Sequence, residues 1–242
     1  MCIRDSLHPT LTLSLPAQHL EPPDRSCKLH TYLTLPSSLF IDKYQFTDAL
    51  FLRSKNLESL RSLAGATDLE APDWVIPQWG SAALFELSVP KPERMIPFDV
   101  EPKPGQKEYG IHTKDWNISI PLHLRYLPAA AKSHEKVAVP WPVVFWACRA
   151  EEGGKHASNP FDRKHLGYES LFGPKTRFLA VEPNGEQGMM EWVNVPVLDT
   201  RKSGWVEAGT VGTVLVAFLG LCWMLFGGMS GKKKIEKAKK TQ

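Results

Sequence analysis

From Asn117 to Tyr126 the chain reads NISIPLHLRY, with Ile118, Ile120, Leu122, Leu124 and Tyr126 on one side of an extended backbone and Ser119, Pro121, His123 and Arg125 on the other. Alternation of period two predicts a half-buried strand. Pro121 has no amide hydrogen for a ladder, which places that strand at a sheet edge. CKLHTYLTL repeats the pattern, with Cys27, Leu29, Thr31, Leu33 and Leu35 sharing a face. ALFELSV, VAVPWPVVFWAC, TRFLAV and EWVNVPVL add further short β-rich runs, and the 20 prolines, many at run ends, suit strand boundaries and loops better than helices. One stretch departs from this. DKYQFTDALFLRSKNLESLRSL, from Asp42 to Leu63, lacks Gly and Pro and predicts helix, with Leu57, Leu60 and Leu63 at helical spacing and Asn56 as the place where it would divide. PKPERMIPFDVEPKPGQ and EEGGKHASNPFDRKH are polar and rich in Pro or Gly, as exposed loops are.

A different pattern begins at Ala208. AGTVGTVLVAFLGLCWMLFGGM, to Met229, contains no charge over 22 residues. As a helix it would span about 33 Å at about 1.5 Å per residue, against a bilayer hydrocarbon core of about 30 Å. A soluble helix of this length would carry a polar face, and only Thr and Gly interrupt this one. It is therefore a transmembrane span, with Trp205 at the level of an interfacial anchor. Ala208, Gly212, Val216 and Gly220 recur at intervals of four and form a small-residue face along which another helix could pack closely.

Charge fixes the orientation. Lys232–Lys240 holds six lysines and one glutamate, net +5, so the rest of a chain of formal charge +3 carries −2. A slightly acidic body excludes nucleic acid as the expected partner. Lysines beside a span stay on the cytoplasmic side, whereas upstream Arg201 and Lys202 are offset by Asp199 and Glu207. The tail is thus expected in the cytosol and the body in the lumen. Lys239 and Lys240 stand four and three places from the end of the chain, where a cytosolic pair of lysines forms the dilysine signal for retrieval to the endoplasmic reticulum (ER). The first residues make a poor signal peptide, with a short, broken apolar run and Asp5 where positive charge is expected. The expectation is an N-terminus truncated relative to the natural protein, with MCIRDS extraneous to it. The predicted organisation is a poorly ordered or extraneous segment over 1–26, a luminal β-rich domain over 27–200, a juxtamembrane linker over 201–207, the span over 208–229 and a Lys-rich tail over 230–242. The fold class is all-β and sandwich-like with one short helical segment, plus one C-terminal transmembrane helix.

Chemistry-bearing motifs are scarce. H-E-x-x-H, G-x-S-x-G, a P-loop, G-x-G-x-x-G and D-x-D do not occur, and the eight histidines show no metal-ligand spacing. Neither a cofactor nor a metal is expected. Glu151 and Glu152 are adjacent in a Gly-containing loop, where carboxylates are usually just solvated. Cys222 lies within the span, which leaves Cys27 and Cys148 as a candidate luminal disulfide or as two buried thiols. Asn117-Ile118-Ser119 is a glycosylation sequon.

Several blocks carry a family resemblance: CKLHTYLTLPSSLFIDKYQF, then LEAPDW, IPLHLRY and VPWPVVFWACRA, followed by one C-terminal span. Their order is similar to PIG-X and its fungal counterpart, the protease B non-derepressible protein. Pro36, Leu39, Phe40, Ile41, Asp42 and Tyr44 match one family block, Glu70, Ala71 and Pro72 a second, and Pro121, Leu122, His123, Arg125 and Tyr126 a third. The resemblance implies a non-catalytic ER subunit that stabilises glycosylphosphatidylinositol (GPI) mannosyltransferase I, with that enzyme's polytopic catalytic subunit as partner. Asp42, His123 and Arg125 become candidate polar determinants of the shared surface or of the domain's own core. The rivals are a general ER chaperone or cargo receptor of the same topology, and a luminal hydrolase with dispersed residues.

Overall fold

The computed structural model describes residues 2–3, 8–90, 95–96, 111–112, 115–150, 161, 168, 170–173, 175–183 and 189–239, with side chains of the last helix as far as Phe226. The strands are β1 (Cys2–Ile3), β2 (Thr10–Pro16), β3 (Lys28–Leu35), β4 (Leu39–Phe40), β5 (Leu57–Gly65), β6 (Ser81–Leu87), β7 (Met95–Ile96), β8 (Ile111–His112), β9 (Asp115–Pro121), β10 (His123–Leu124), β11 (His134–Pro140), β12 (Val143–Arg149), β13 (Thr176–Val181) and β14 (Met190–Pro196). The helices are α1 (Ala49–Ser54) and α2 (Thr200–Lys239). Apart from Phe161 and the pieces Pro90 and Met95–Ile96, the two polar loops expected from sequence lie outside the described residues.

The body is a β-sandwich. An antiparallel sheet in the order β13-β12-β3-β6-β5 forms one layer. The sheet β1-β2-β9 and the ribbon β11-β14 supply the facing side chains. Leu29, Leu33, Leu35, Phe85, Leu87 and Trp146 of the large sheet share one core with Leu11, Leu13, Leu15, Ile118, Ile120, Val193 and Val195. Each such fully buried side chain contributes about 1.5–3 kcal/mol of transfer free energy.

Four features depart from the sequence pattern. First, the helix expected over Asp42–Leu63 is confined to α1, after a 3₁₀ turn at Gln45–Thr47, and the rest is β5. Asp48 caps α1 by accepting the Leu50 amide, and Asn56, at φ 58°, turns the chain away from helix. Leu57, Leu60 and Leu63 sit three apart, yet they pair with Leu87, Phe85 and Ala83, which sit two apart. The reason is two register shifts, between Leu57 and Ser59 and between Leu60 and Ser62. Each bulge inserts a residue, so spacing that imitates a helix stays on one face of a strand. Second, both faces of β3 are covered. Tyr32, Leu84 and Phe145 on the outer face pack beneath Phe161, Tyr168 and Phe172, and the Tyr168 hydroxyl donates to Ala82 O at 2.8 Å. Burial pushes that phenol's pKa upward.

Third, residues 10–20, expected to lie in a poorly ordered or extraneous segment, pack into the domain. Leu11, Leu13, Leu15 and Leu20 are core residues, and β2 pairs along all of β9 from Thr10↔Pro121 to Pro16↔Asp115. Fourth, the alternation predicted through Tyr126 breaks after Leu122. Ile118, Ile120 and Leu122 are buried as expected, but Arg125 is 4% exposed and Tyr126 83% exposed, so inside and outside exchange. β9 is an edge of its sheet, with Pro121 at its end.

A second unit comprises Ala129–Ser133 and Val197–Gln242. Ala130 forms a parallel bridge with Asp199, its amide donates to Leu198 O at 2.9 Å, and its carbonyl accepts the Thr200 amide at 3.0 Å. The Asp199 carboxylate accepts the Arg201 amide at 2.9 Å and so satisfies an orphan donor at the start of α2. The helix is continuous from Thr200 to Lys239, which makes the expected 201–207 linker part of it. Its stretch from Thr200 to Phe226 is long and apolar enough to cross a membrane, and none of it is buried.

Candidate functional site

The three sequence blocks, distant in the chain, meet around Arg125. β4 pairs with β10, placing His123 opposite Phe40 and Leu124 opposite Leu39. The His123 ring stacks on Phe40 with centroids 5.3 Å apart. Its Nε2 lies 3.0 Å from the side-chain Nε2 of Gln45, and the His8 ring meets it edge-on at 5.3 Å. Desolvation lowers the pKa of His123, His8 lowers it further, and Asp42 opposes both. Asp42 itself shapes local backbone: its carboxylate accepts the Tyr44 amide at 2.9 Å and its carbonyl accepts the Gln45 amide at 3.2 Å.

Arg125 holds the node together. Its amide donates to Ser38 O at 2.8 Å, Nη1 donates to Ala71 O at 2.8 Å and Nη2 to Ala66 O at 3.3 Å. The guanidinium carbon lies 4.5 Å from the centre of the Phe40 ring, a cation–π arrangement. Desolvation pulls the guanidinium pKa below its ordinary value, while Asp68 and Asp73 act to raise it. One residue further on, the Tyr126 carbonyl accepts the Asp73 amide at 3.0 Å. A planar fork suits two carbonyls from one loop better than an ammonium would. Of the three polar residues singled out from sequence, Asp42 and Arg125 thus bond to backbone and His123 to Gln45. What this node displays to solvent is Trp74 and Val75, which the alternation pattern did not single out, and Tyr126, which that pattern placed with the buried leucines.

The remaining sequence-derived sites lie elsewhere. Cys27 and Cys148 form a disulfide. Its origin is the β3–β12 register: Lys28 faces Ala147, so the next pair outward is Cys27 and Cys148. Asn117 is exposed on β9, and its side-chain oxygen accepts the Ser14 hydroxyl at 2.7 Å. Ala208, Gly212, Val216 and Gly220 lie along α2, and a Cβ built on Gly212 or Gly220 would meet nothing within 4 Å. Lys239 is the last residue of α2, and Lys240 lies outside the described residues. Among the described residues no group of three His, Cys, Asp or Glu could hold a metal. A cleft of ≈ 490 Å³ beside β2 and β12 is mostly apolar, lined by Leu13, Leu15, Val144 and Val181, with His19 and Glu182 among its polar members. A second, of ≈ 470 Å³, has Glu86 at 2.7 Å from Lys28 and 3.6 Å from Arg61, with Arg149 and Lys175 also in its lining.

The family description PIG-X / PBN1 matches residues 4–226. The chain belongs to the PIG-X/PBN1 family. Among its relatives, Protein pbn1 of Aspergillus fumigatus is 49% identical over 91% of this chain and 44% of its own length. Protein pbn1 of Neurospora crassa is 42% identical over 98% of this chain and 46% of its own length. Protein PBN1 of Saccharomyces cerevisiae is 27% identical over 96% of this chain and 45% of its own length. The chain therefore spans less than half of each of these family members. No solved structure matches it.

Proposed function

We propose that the protein is a non-catalytic ER membrane subunit that stabilises GPI mannosyltransferase I, the enzyme that transfers the first mannose from dolichol-phosphate-mannose to the GPI precursor. One observation carries this reading: the PIG-X/PBN1 family matches residues 4–226, and the helix from Thr200 to Phe226 is long and apolar enough to cross a membrane. Such a helix needs lipid or another helix around it. The face of Ala208, Gly212, Val216 and Gly220 is where a span of the polytopic catalytic subunit would approach. The lysine-rich tail favours a cytosolic C-terminus. The body then lies in the oxidising lumen, which suits the disulfide and makes Asn117 available for glycosylation.

The test is a GPI-precursor profile of cells depleted of the protein. Accumulation of the unmannosylated glucosaminyl lipid is expected. A normal profile would overturn the assignment and leave the general chaperone or cargo receptor in its place. A separate expectation concerns the tail. Lys239→Ser with Lys240→Ser should let the protein reach later compartments, seen as Golgi processing of the Asn117 glycan. Retention in the ER would show that the partner, not the dilysine pair, holds it there.

A further inference from the structure

The connection from β5 to β6 runs from Ala66 to Gly80, and its two ends are tied by the Ala66 amide donating to Gly80 O at 3.0 Å. Loops of this length are uncommon in compact domains, and those with joined ends are frequently binding elements. The base requires glycine twice. Gly65 and Gly80 sit at φ +90° and +67°, and a Cβ on Gly80 would run into the Leu35 and Pro36 backbone. Further out, Asp68 accepts the Glu70 amide at 3.0 Å and a 3₁₀ turn forms at Asp73–Val75. With the Arg125 fork beneath it, the loop is ordered before it meets anything.

What this ordering presents is apolar and negative. Trp74 is 62%, Val75 65%, Trp79 52% and the adjoining Tyr126 83% exposed. Trp and Tyr are the residues most enriched at binding hot spots, and prior ordering lowers the entropic cost of engaging them. Residues 66–80 include Asp68, Glu70 and Asp73 and no Lys or Arg, while the neighbouring Arg125 is buried with its Nη groups turned to carbonyls. An anionic bilayer surface is a poor match for that charge. A protein segment with Arg or Lys among aliphatic residues fits both features, through carboxylate pairing and cation–π contact with the tryptophans.

We propose that the 66–80 loop, with Tyr126, docks a basic, apolar luminal segment of the partner subunit, and that Trp74 and Trp79 are its anchors. This rests on the accessory-subunit reading above. The test uses the full chain, co-purified from detergent-solubilised membranes with the catalytic subunit of the mannosyltransferase. W74A/W79A should lower the recovered catalytic subunit by about tenfold or more, and E70K, which reverses an exposed carboxylate, should also lower it. The urea midpoint of the body should stay unchanged, because these side chains are exposed. Recovery at the wild-type level in both variants would overturn the docking loop and leave the accessory reading standing. Failure of the wild-type chain to bring down the catalytic subunit would remove the accessory reading, and this proposal with it. In nanodiscs containing brominated lipid, W74A/W79A should remove no quenched tryptophan component. Loss of such a component would place the loop in the bilayer and overturn the proposal.

Discussion

Replacing Cys27 and Cys148 together by alanine is expected to lower the stability of the body by about 4–5 kcal/mol, the chain-entropy figure for so long a loop. The two residues are 121 apart in sequence, and β3 and β12, which they join, are neighbours in the middle of the five-stranded sheet. In the unfolded chain the bond removes a large share of the conformations that keep those strands apart. Without it, the same closure is paid for by β-pairing and burial alone. Against total stabilities of about 5–15 kcal/mol for folded domains, this is a large fraction. The measurement is urea denaturation of the detergent-solubilised chain followed by tryptophan fluorescence. The midpoint should fall by about 2 M, taking a urea slope of about 2 kcal/mol per molar. The slope itself should rise, because the unbridged denatured chain exposes more surface. Alanine is preferred to serine because Cys148 lies in the core, where an unpaired hydroxyl would add its own cost. An unchanged midpoint would mean that the bond constrains nothing the sheet does not already hold.

The sequence pattern was most legible where a strand is regular. β13 coincides with TRFLAV, and the alternating Ile118, Ile120 and Leu122 are buried on the expected side. It misled where backbone irregularity resets the count. The leucines of β5 imitate a helix because two bulges convert spacing of three into spacing of two on the partner strand. Leu11, Leu13 and Leu15 carried a plain period-two signal, obscured by the weak targeting character of the first residues. The disulfide could be framed as one of two alternatives, since two cysteines on strands do not specify register. The 66–80 loop had a signal in composition, two tryptophans among prolines between the run read as helix and the β-rich ALFELSV. Its ordering depends on Arg125, and no local pattern states that a strand will turn its arginine inward and its tyrosine outward.

That inversion makes Arg125→Met the second large expectation: a loss of about 3 kcal/mol, concentrated in the loop. Two hydrogen bonds from a charged donor, each worth about 1.5–3 kcal/mol, are removed, and the Ala71 and Ala66 carbonyls lose their partner. The contact with Phe40 adds about 0.5–1 kcal/mol. Two effects work against these losses. Methionine takes up much of the buried volume, and removing a desolvated cation relieves part of its burial cost, so the net falls well below the sum. Arg125→Lys should recover little, because one ammonium cannot reach both carbonyls and lie flat over the ring. Hydrogen exchange locates the effect. The Ala66 and Asp73 amides, which bond to Gly80 O and Tyr126 O, should exchange faster in Arg125→Met, while amides in β3 and β12 keep their protection. Uniform loss of protection would assign Arg125 to the global core, and unchanged exchange over 66–76 would mean that the fork does not order the loop. If the loop is the docking element, Arg125→Met should also weaken recovery of the partner although no residue of the docking face has changed. The ordering entropy that the fork offsets in advance would then fall on the binding step.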